Sequence, residues 1–356
     1  PVIVAGKLGV PQEAEKALDE GGADMIGLAR PLLSDAYWPK KVLSGHPERI
    51  RPCIGCHVGC LGRGFEGKPL SCAVNPAAGR ERYYEIRPAA IPKKVLIAGG
   101  GVAGMEAARM AVLRGHKVTL YESTDKLGGE IVPGSVPDFK IDDRRLLDWY
   151  RNEMKELKIN VIFNTEVTDK LVGKEQPDVV IVATGANDVK IKLPGIEKDK
   201  VSTAVDILNG TKKSGKNVLI VGGGLVGCET ALYLAKAGKK VAIVEAKDKI
   251  LDAGKPIPHM NKIMLEDLIK KYNIKVITGN SLLEVMGAGA VLLDSKFKQQ
   301  EVSADTVVIS VGFKSNRKLY NKLHGKVTDL YLIGDAYQAA NIMDAIWSGN
   351  EIGLNC

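Results

Sequence analysis

The feature that most limits how this chain can fold is a strand–glycine–helix–strand pattern that occurs twice. One copy starts at Lys93, where VLIA leads into Gly99, Gly100 and Gly101; the other starts at Lys216, where VLIV leads into Gly222, Gly223 and Gly224. The copies align without a gap, Val95 on Val218, Gly104 on Gly227, Glu106 on Glu229, Gly115 on Gly238 and Glu122 on Glu245. Self-similarity of this kind implies two related domains. Each copy holds Gly-x-Gly-x-x-Gly between a strand-length apolar run and a helical pattern, with an acid about twenty residues on. The first glycine permits a tight turn, the second lets backbone approach a pyrophosphate, and the third packs helix on strand. The acid accepts hydrogen bonds from ribose hydroxyls, and the diphosphate lies at the positive end of the helix dipole. Two dinucleotide sites are expected, one on Gly99, Gly101, Gly104 and Glu122, the other on Gly222, Gly224, Gly227 and Glu245.

Their surroundings separate the two ligands. The first copy is followed by Leu127-Gly128-Gly129, by Ala183-Thr184-Gly185 at the end of VVIVATG, and near the C-terminus by YLIGDA with Gly334-Asp335. This set resembles the segments that wrap FAD in flavoprotein reductases with two dinucleotide domains. The resemblance implies that Ala103, Gly128, Gly129, Ala183, Thr184 and Gly185 border FAD. It also implies that Asp335 holds the ribitol and that Gly334 opens a helix facing the flavin. The second copy lacks these segments and resembles an NAD(P)H domain inserted into the FAD domain, with VVISVGFKSN as the return crossing. A carboxylate at Glu245 repels a 2′-phosphate, so NADH is preferred over NADPH. Lys247 and Lys249 work against that preference, although Lys249 has a counterpart in Lys126 and reads as structural.

Cysteine placement adds a third constraint. Cys53, Cys56, Cys60 and Cys72 crowd a glycine-rich stretch, and four thiols so placed are ligands. Tetrathiolate zinc favours two knuckles with a longer spacer. Three close cysteines and a distant fourth suit an iron–sulfur cluster better. Cys228 and Cys356 lie in different segments, so no disulfide framework is implied and a reducing, cytoplasmic compartment is expected. Cys228 reads as a buried packing residue, and no cysteine pair stands near the flavin segments, which argues against thiol–disulfide chemistry.

The run CIGCHVGCLGRGFEGKPLSCAVNPAAGRE resembles the cluster segment of the old yellow enzyme-related iron–sulfur flavoenzymes, among them 2,4-dienoyl-CoA reductase, 2-enoate reductase and trimethylamine dehydrogenase. Its x2, x3, x11 spacing is that of the reductases. The resemblance implies a 4Fe-4S cluster on the four cysteines, between a (β/α)8 barrel that carries FMN and substrate and a module for FAD and NAD(P)H. Residues 1–50 read as strand, helix, strand and short helix, and PVIVAGK and ADMIGLARPLL resemble barrel strands seven and eight. By that match the backbone of Gly6, Lys7 and Ala29, with the Arg30 guanidinium, holds the FMN phosphate, where barrels commonly bind phosphate. A barrel takes about 250 residues, so the alkene pocket and its proton donor are expected outside this sequence. The N-terminus reads as a cut inside a strand and not as a secretion signal.

The expected fold is α/β: the end of a TIM barrel (1–50), an iron–sulfur segment (51–92), and two Rossmann-like domains. The FAD domain takes 93–190 and 312–356, and the NAD(P)H domain takes 191–311. A net charge of +8 raises the question of nucleic acid. The basic residues are dispersed and not interleaved with aromatics, so none is expected. No apolar run reaches the ~18 residues of a membrane span. The expected partner is a small-molecule substrate, an enoate or enoyl-CoA, in the full-length enzyme; homo-oligomerisation is left open. The expected function is NADH-dependent passage of electrons through FAD, the cluster and FMN to an activated C=C bond. Two alternatives stand beside it: an amine dehydrogenase running electrons the other way, and a zinc-containing nucleotide-binding protein.

Overall fold

VVIV at Val179–Val182 has no polar residue on either face, so it belongs in a sheet covered on both sides. In the computed structural model, which describes residues 1–356, all four side chains are fully buried. They form one strand of a five-stranded parallel sheet ordered Asp329–Leu332, Val179–Val182, Lys94–Ala98, Lys117–Tyr121, Asn160–Ile162. This sheet lies in the first of two compact units, residues 1–131, 142–185 and 316–356. Its helices Val102–Leu113 and Ile342–Asn355 press together through small residues. A Cβ added to Gly349 would come within 2.3 Å of the Ala103 carbonyl oxygen, and one on Gly353 within 2.6 Å of that of Ala107.

The N-terminal stretch of this unit pairs Ile3–Ala5 with Met25–Gly27 in parallel, the crossover carrying the helix Pro11–Asp19. Residues 51–92 are not wholly loop. A π-helical turn, Val58–Gly62, runs into a short helix, Arg63–Phe65. Single turns carry no hydrophobic period, so the sequence shows no sign of them.

The second unit comprises residues 132–141 and 186–315. Its parallel sheet runs Lys275–Ile277, Lys240–Val244, Asn217–Val221, Thr306–Ile309, Val201–Thr203. The order about the glycine-loop strand matches that of the first sheet, so the repeat in sequence is a repeat in topology. The edge strands have different origins: Val201–Thr203 precedes the repeat in its unit, whereas Asp329–Leu332 comes near the end of the chain. A second, antiparallel sheet of Asn280–Val285, Gly289–Asp294 and Gln299–Ser303 has no signature in the sequence. Its outer strand, QQEVS, has a single apolar residue, Val302, too few to show alternation. The division between units falls after Gly185 and before Asn316, against 190 and 312 on the sequence reading. Residues 132–141 join the second unit through Lys140–Glu229 and Lys236–Asp138 ion pairs, each at 2.6 Å. No helix is long and apolar enough to cross a membrane.

Glu106 and Glu229, aligned in the two copies, have opposite surroundings. Glu229 takes the Lys140 ion pair. Glu106 is fully buried and accepts from Arg109 Nε (3.0 Å) and Nη2 (3.1 Å), Tyr150 Oη (3.1 Å) and Asn350 Nδ2 (2.8 Å). Burial alone would raise its pKa, but Arg109, Arg51 and the hydrogen bonds hold it below the ordinary 4.5. With the folded value below the unfolded one, this contribution to stability is present above pH 4.5 and lost as pH falls through the folded pKa. Glu106→Ala leaves Arg109 with Glu153, at 3.7 Å, as its one carboxylate partner. The substitution is expected to cost about 3–5 kcal/mol. Denaturant unfolding at neutral pH reads this directly; a loss below about 1 kcal/mol, ordinary for a surface change, would contradict it.

Candidate functional site

Each glycine loop is shaped by contacts that only glycine permits. Gly99 has φ 112°, and a Cβ there would lie 2.3 Å from the Ala183 carbonyl oxygen. A Cβ on Gly104 would lie 1.9 Å from the carbonyl oxygen of Gly99. The second loop repeats this: a Cβ would fall 2.2 Å from Ser310 O at Gly222 and 2.0 Å from Gly222 O at Gly227. Gly101 and Gly224 behave differently. Each caps its helix, and a Cβ on either would meet nothing within 4 Å. Open space in front of the first N–H groups of a helix is what a pyrophosphate requires.

The two acids reach back to the middle glycines. Glu122 Oε2 accepts the Gly100 N–H at 2.8 Å, and Glu245 Oε2 accepts the Gly223 N–H at 2.6 Å. Their other oxygens are held by Thr124 N–H (2.8 Å) and Lys247 N–H (2.9 Å). Gly100 and Gly223 therefore position the acids, a role that the Gly-x-Gly-x-x-Gly reading left unassigned. The identical GGG in both copies was the available sign. The Lys247 ammonium donates to the Asp252 carbonyl at 2.7 Å, which ties it to its own loop.

The structure brings the other flavin-type segments to the first loop and its helix. Gly128 N–H donates to Gly100 O at 2.9 Å, and Gly129, at φ 56°, packs on Gly101. Ala183 backs Gly99, and the Thr184 hydroxyl donates to the Asn316 carbonyl at 2.8 Å. Gly185 adopts φ 65° and accepts from Asn316 N–H. Gly334, at φ 58°, faces Ala103, and burial pushes the Asp335 carboxyl above its ordinary pKa. In the second copy Leu251 N–H donates to Gly223 O at 2.7 Å, with φ 57°. That loop keeps its shape without the glycines found in the first.

Cys53, Cys56, Cys60 and Cys72 line one pocket, together with Arg30 and His57. Gly59 closes the loop: a Cβ there would lie 2.8 Å from the Ala73 nitrogen, and Ser71 donates twice to its carbonyl at 2.9 Å. Neither Gly59 nor Ser71 stood out in the sequence. Burial raises the pKa of the Cys53 and Cys72 thiols and pushes Cys56 up to about 12. Backbone N–H groups of Gly55, Val58, Val74 and Asn75 act the other way and favour thiolate. No three His, Cys, Asp or Glu side chains converge as the ligands of a single metal ion would.

At the paired N-terminal strands, Gly6–Lys7 and Ala29–Arg30 follow the same strand ends. Their side chains diverge. The Lys7 ammonium lies 3.8 Å from Asp142, and Arg30 Nη1 lies 2.6 Å from His57 Nε2. Arg30 is thus turned to the cysteine loop.

A sequence profile described as "Pyridine nucleotide-disulphide oxidoreductase" matches residues 93–349. The chain belongs to this family. Within it the chain groups with 2-enoate reductase and the old yellow enzyme-related flavoenzymes, of which it covers the C-terminal part. It is 44% identical over 355 residues to cinnamate reductase of Clostridium sporogenes, covering 100% of this chain and 53% of that protein. It is 38% identical to NADH oxidase of Thermoanaerobacter brockii, covering 99% of this chain and 55% of the relative. The solved structure of 2-naphthoyl-CoA reductase with 2-naphthoyl-CoA superposes with a TM-score of 0.95 at 34% identity, over 100% of this chain and 54% of that one. The chain thus spans about half the length of these relatives. Binding of FAD and NAD(H) comes with family membership. The disulphide chemistry in the family's description has no counterpart among the matched residues. Cys228 is the one cysteine there, fully buried, its pKa pushed up to about 12 by burial and neighbouring carboxylates.

Proposed function

We propose that this chain is the electron-transfer portion of an NADH-dependent iron–sulfur flavoenzyme that reduces an activated C=C bond, as in enoates or enoyl-CoA esters. The observation that carries the reading is the single cavity lined by all four cysteines, in the same unit as the first glycine loop. The thiols of Cys53, Cys56 and Cys72, which burial would otherwise keep protonated, are each faced by backbone N–H groups and suit ligation to iron, which deprotonates them. The spacing of three close cysteines and a distant fourth favours a cluster over a lone zinc. When bound, FAD, the cluster and FMN supply hydride acceptance, one-electron transfer and alkene reduction. The protein's part is positioning. Gly101 leaves room for the FAD pyrophosphate and Glu122 waits at the ribose; Gly224 and Glu245 do the same for NADH. The backbone of Gly6, Lys7 and Ala29 would hold the FMN phosphate, the Arg30 guanidinium joining it by leaving His57. The names of the reductases above support this direction of electron flow over an amine dehydrogenase. Free cysteines throughout suit a cytoplasmic setting. Anaerobically purified protein should be brown, with iron, acid-labile sulfide and FAD. Stoichiometric zinc without iron would overturn the reading.

Cofactor preference gives a second test. Glu245→Gln keeps an acceptor for Gly223 N–H but removes the charge that repels a 2′-phosphate. It should weaken NADH by about tenfold, the value of one charged hydrogen bond, and improve NADPH. If the unaltered protein already oxidises NADPH as fast as NADH at low concentration, Glu245 is not the selector.

A further inference from the structure

The helix Ile342–Asn355 touches two cofactor segments from adjacent residues. Ser348 Oγ accepts the N–H of Gly334 at 3.0 Å, in the Gly334-Asp335 turn assigned to the flavin. Trp347 Nε1–H donates to the carbonyl oxygen of Cys72 at 3.0 Å. Two further contacts lay the stretch after Cys72 along this helix. The Arg80 guanidinium sits 4.2 Å from the Trp347 ring and 4.4 Å from that of Tyr84, and Tyr84 Oη donates to Glu351 at 3.2 Å. The helix itself is fixed from behind, because Gly349 and Gly353 leave no room between it and Val102–Leu113. A helix held on one side and bonded on the other transmits position. Indole N–H groups need a partner when half-buried, and here the partner is the backbone of one of the four cavity cysteines.

We infer that Trp347 is a positioning residue that fixes Cys72, and with it an iron–sulfur centre, relative to the flavin segment; this rests on the cluster reading above. A group that orients a ligand from the next layer governs both retention of the metal and its redox behaviour. Trp347→Phe keeps an aromatic ring beside Arg80 and removes only the donor. Trp347→His keeps a ring N–H.

The test uses the whole chain, purified anaerobically with its cofactors. Iron release to a chelator, the reduction potential of the iron–sulfur centre, FAD content and the rate of flavin bleaching by NADH are measured on each variant. Trp347→Phe should retain FAD and wild-type flavin bleaching, which also shows that it has folded. It should lose iron about 10–100-fold faster, the usual cost of removing such an outer partner, with a shifted potential. Trp347→His should recover part of the loss. Wild-type iron retention and potential in the Phe variant would overturn the inference, as would identical behaviour of the Phe and His variants. Failure of both variants to fold would make Trp347 a folding residue and overturn it too. Unaltered protein without iron would overturn the cluster reading itself, and the inference with it.

Discussion

Alanine at Gly227 is expected to abolish NADH binding and loosen the second unit, whereas alanine at Gly224 should abolish binding and leave the fold intact. The two positions differ in what a methyl group meets. At Gly227 it would lie 2.0 Å from the Gly222 carbonyl oxygen, and backbone cannot swing aside as a flexible side chain can. The helix Leu225–Lys236 must then shift off its strand, an overpacking cost of about 1–3 kcal/mol or more. At Gly224 nothing of the protein lies within 4 Å, so the methyl occupies only the space reserved for the pyrophosphate. Binding should fall by about 100-fold or more in both, near 2.7 kcal/mol. The FAD loop should be untouched in either variant, with Gly101→Ala and Gly104→Ala as its counterparts. Titration with NADH and thermal unfolding separate the outcomes. Wild-type NADH affinity in Gly224→Ala would show that the open space is not the ligand's seat.

Cys56→Ser should cut the electron path beyond the flavin by more than about 100-fold, exceeding what loss of an outer partner costs. It should spare reduction of an artificial dye by NADH. Burial pushes the Cys56 thiol up to about 12, and Cys56 lines one pocket with Cys53, Cys60 and Cys72. A serine hydroxyl there is a poor iron ligand, and the other three thiols lose their common partner. The two glycine loops lie in stretches of chain separate from the cysteine loop, so dye reduction ending at the flavin is expected to survive. Iron and sulfide content, the visible spectrum and NADH:dye turnover give the comparison. Unchanged iron with full electron passage would remove Cys56 from the ligand set; parallel loss of dye reduction would show that the cysteine loop also supports the FAD fold.

Much of this protein was open to reading from residue order because its main constraints are local. A glycine needed at φ 112° between a buried strand and a helix cannot be replaced, and the need recurs in both copies. The acid at the end of the second strand is equally local, since register along two adjacent strands sets its distance from the glycines. Hence the repeat, its loops and both acids were legible before any coordinates. The four cysteines were legible for a related reason: few soluble folds crowd thiols without ligating something.

What the tertiary structure alone decided depends on contacts between distant stretches. Nothing near Glu106 announces that it will be buried on Tyr150 and Asn350 while the aligned Glu229 meets Lys140. Leu251 holds a left-handed backbone that residue type would have denied it. Arg30 has a partner in His57 that only folding brings to it, and Trp347 meets Cys72 across 275 positions of sequence. Periodicity and motif spacing encode the geometry of a strand, a turn or a helix start. The pairing of side chains from separate elements is set by how those elements pack, which no short stretch of sequence contains.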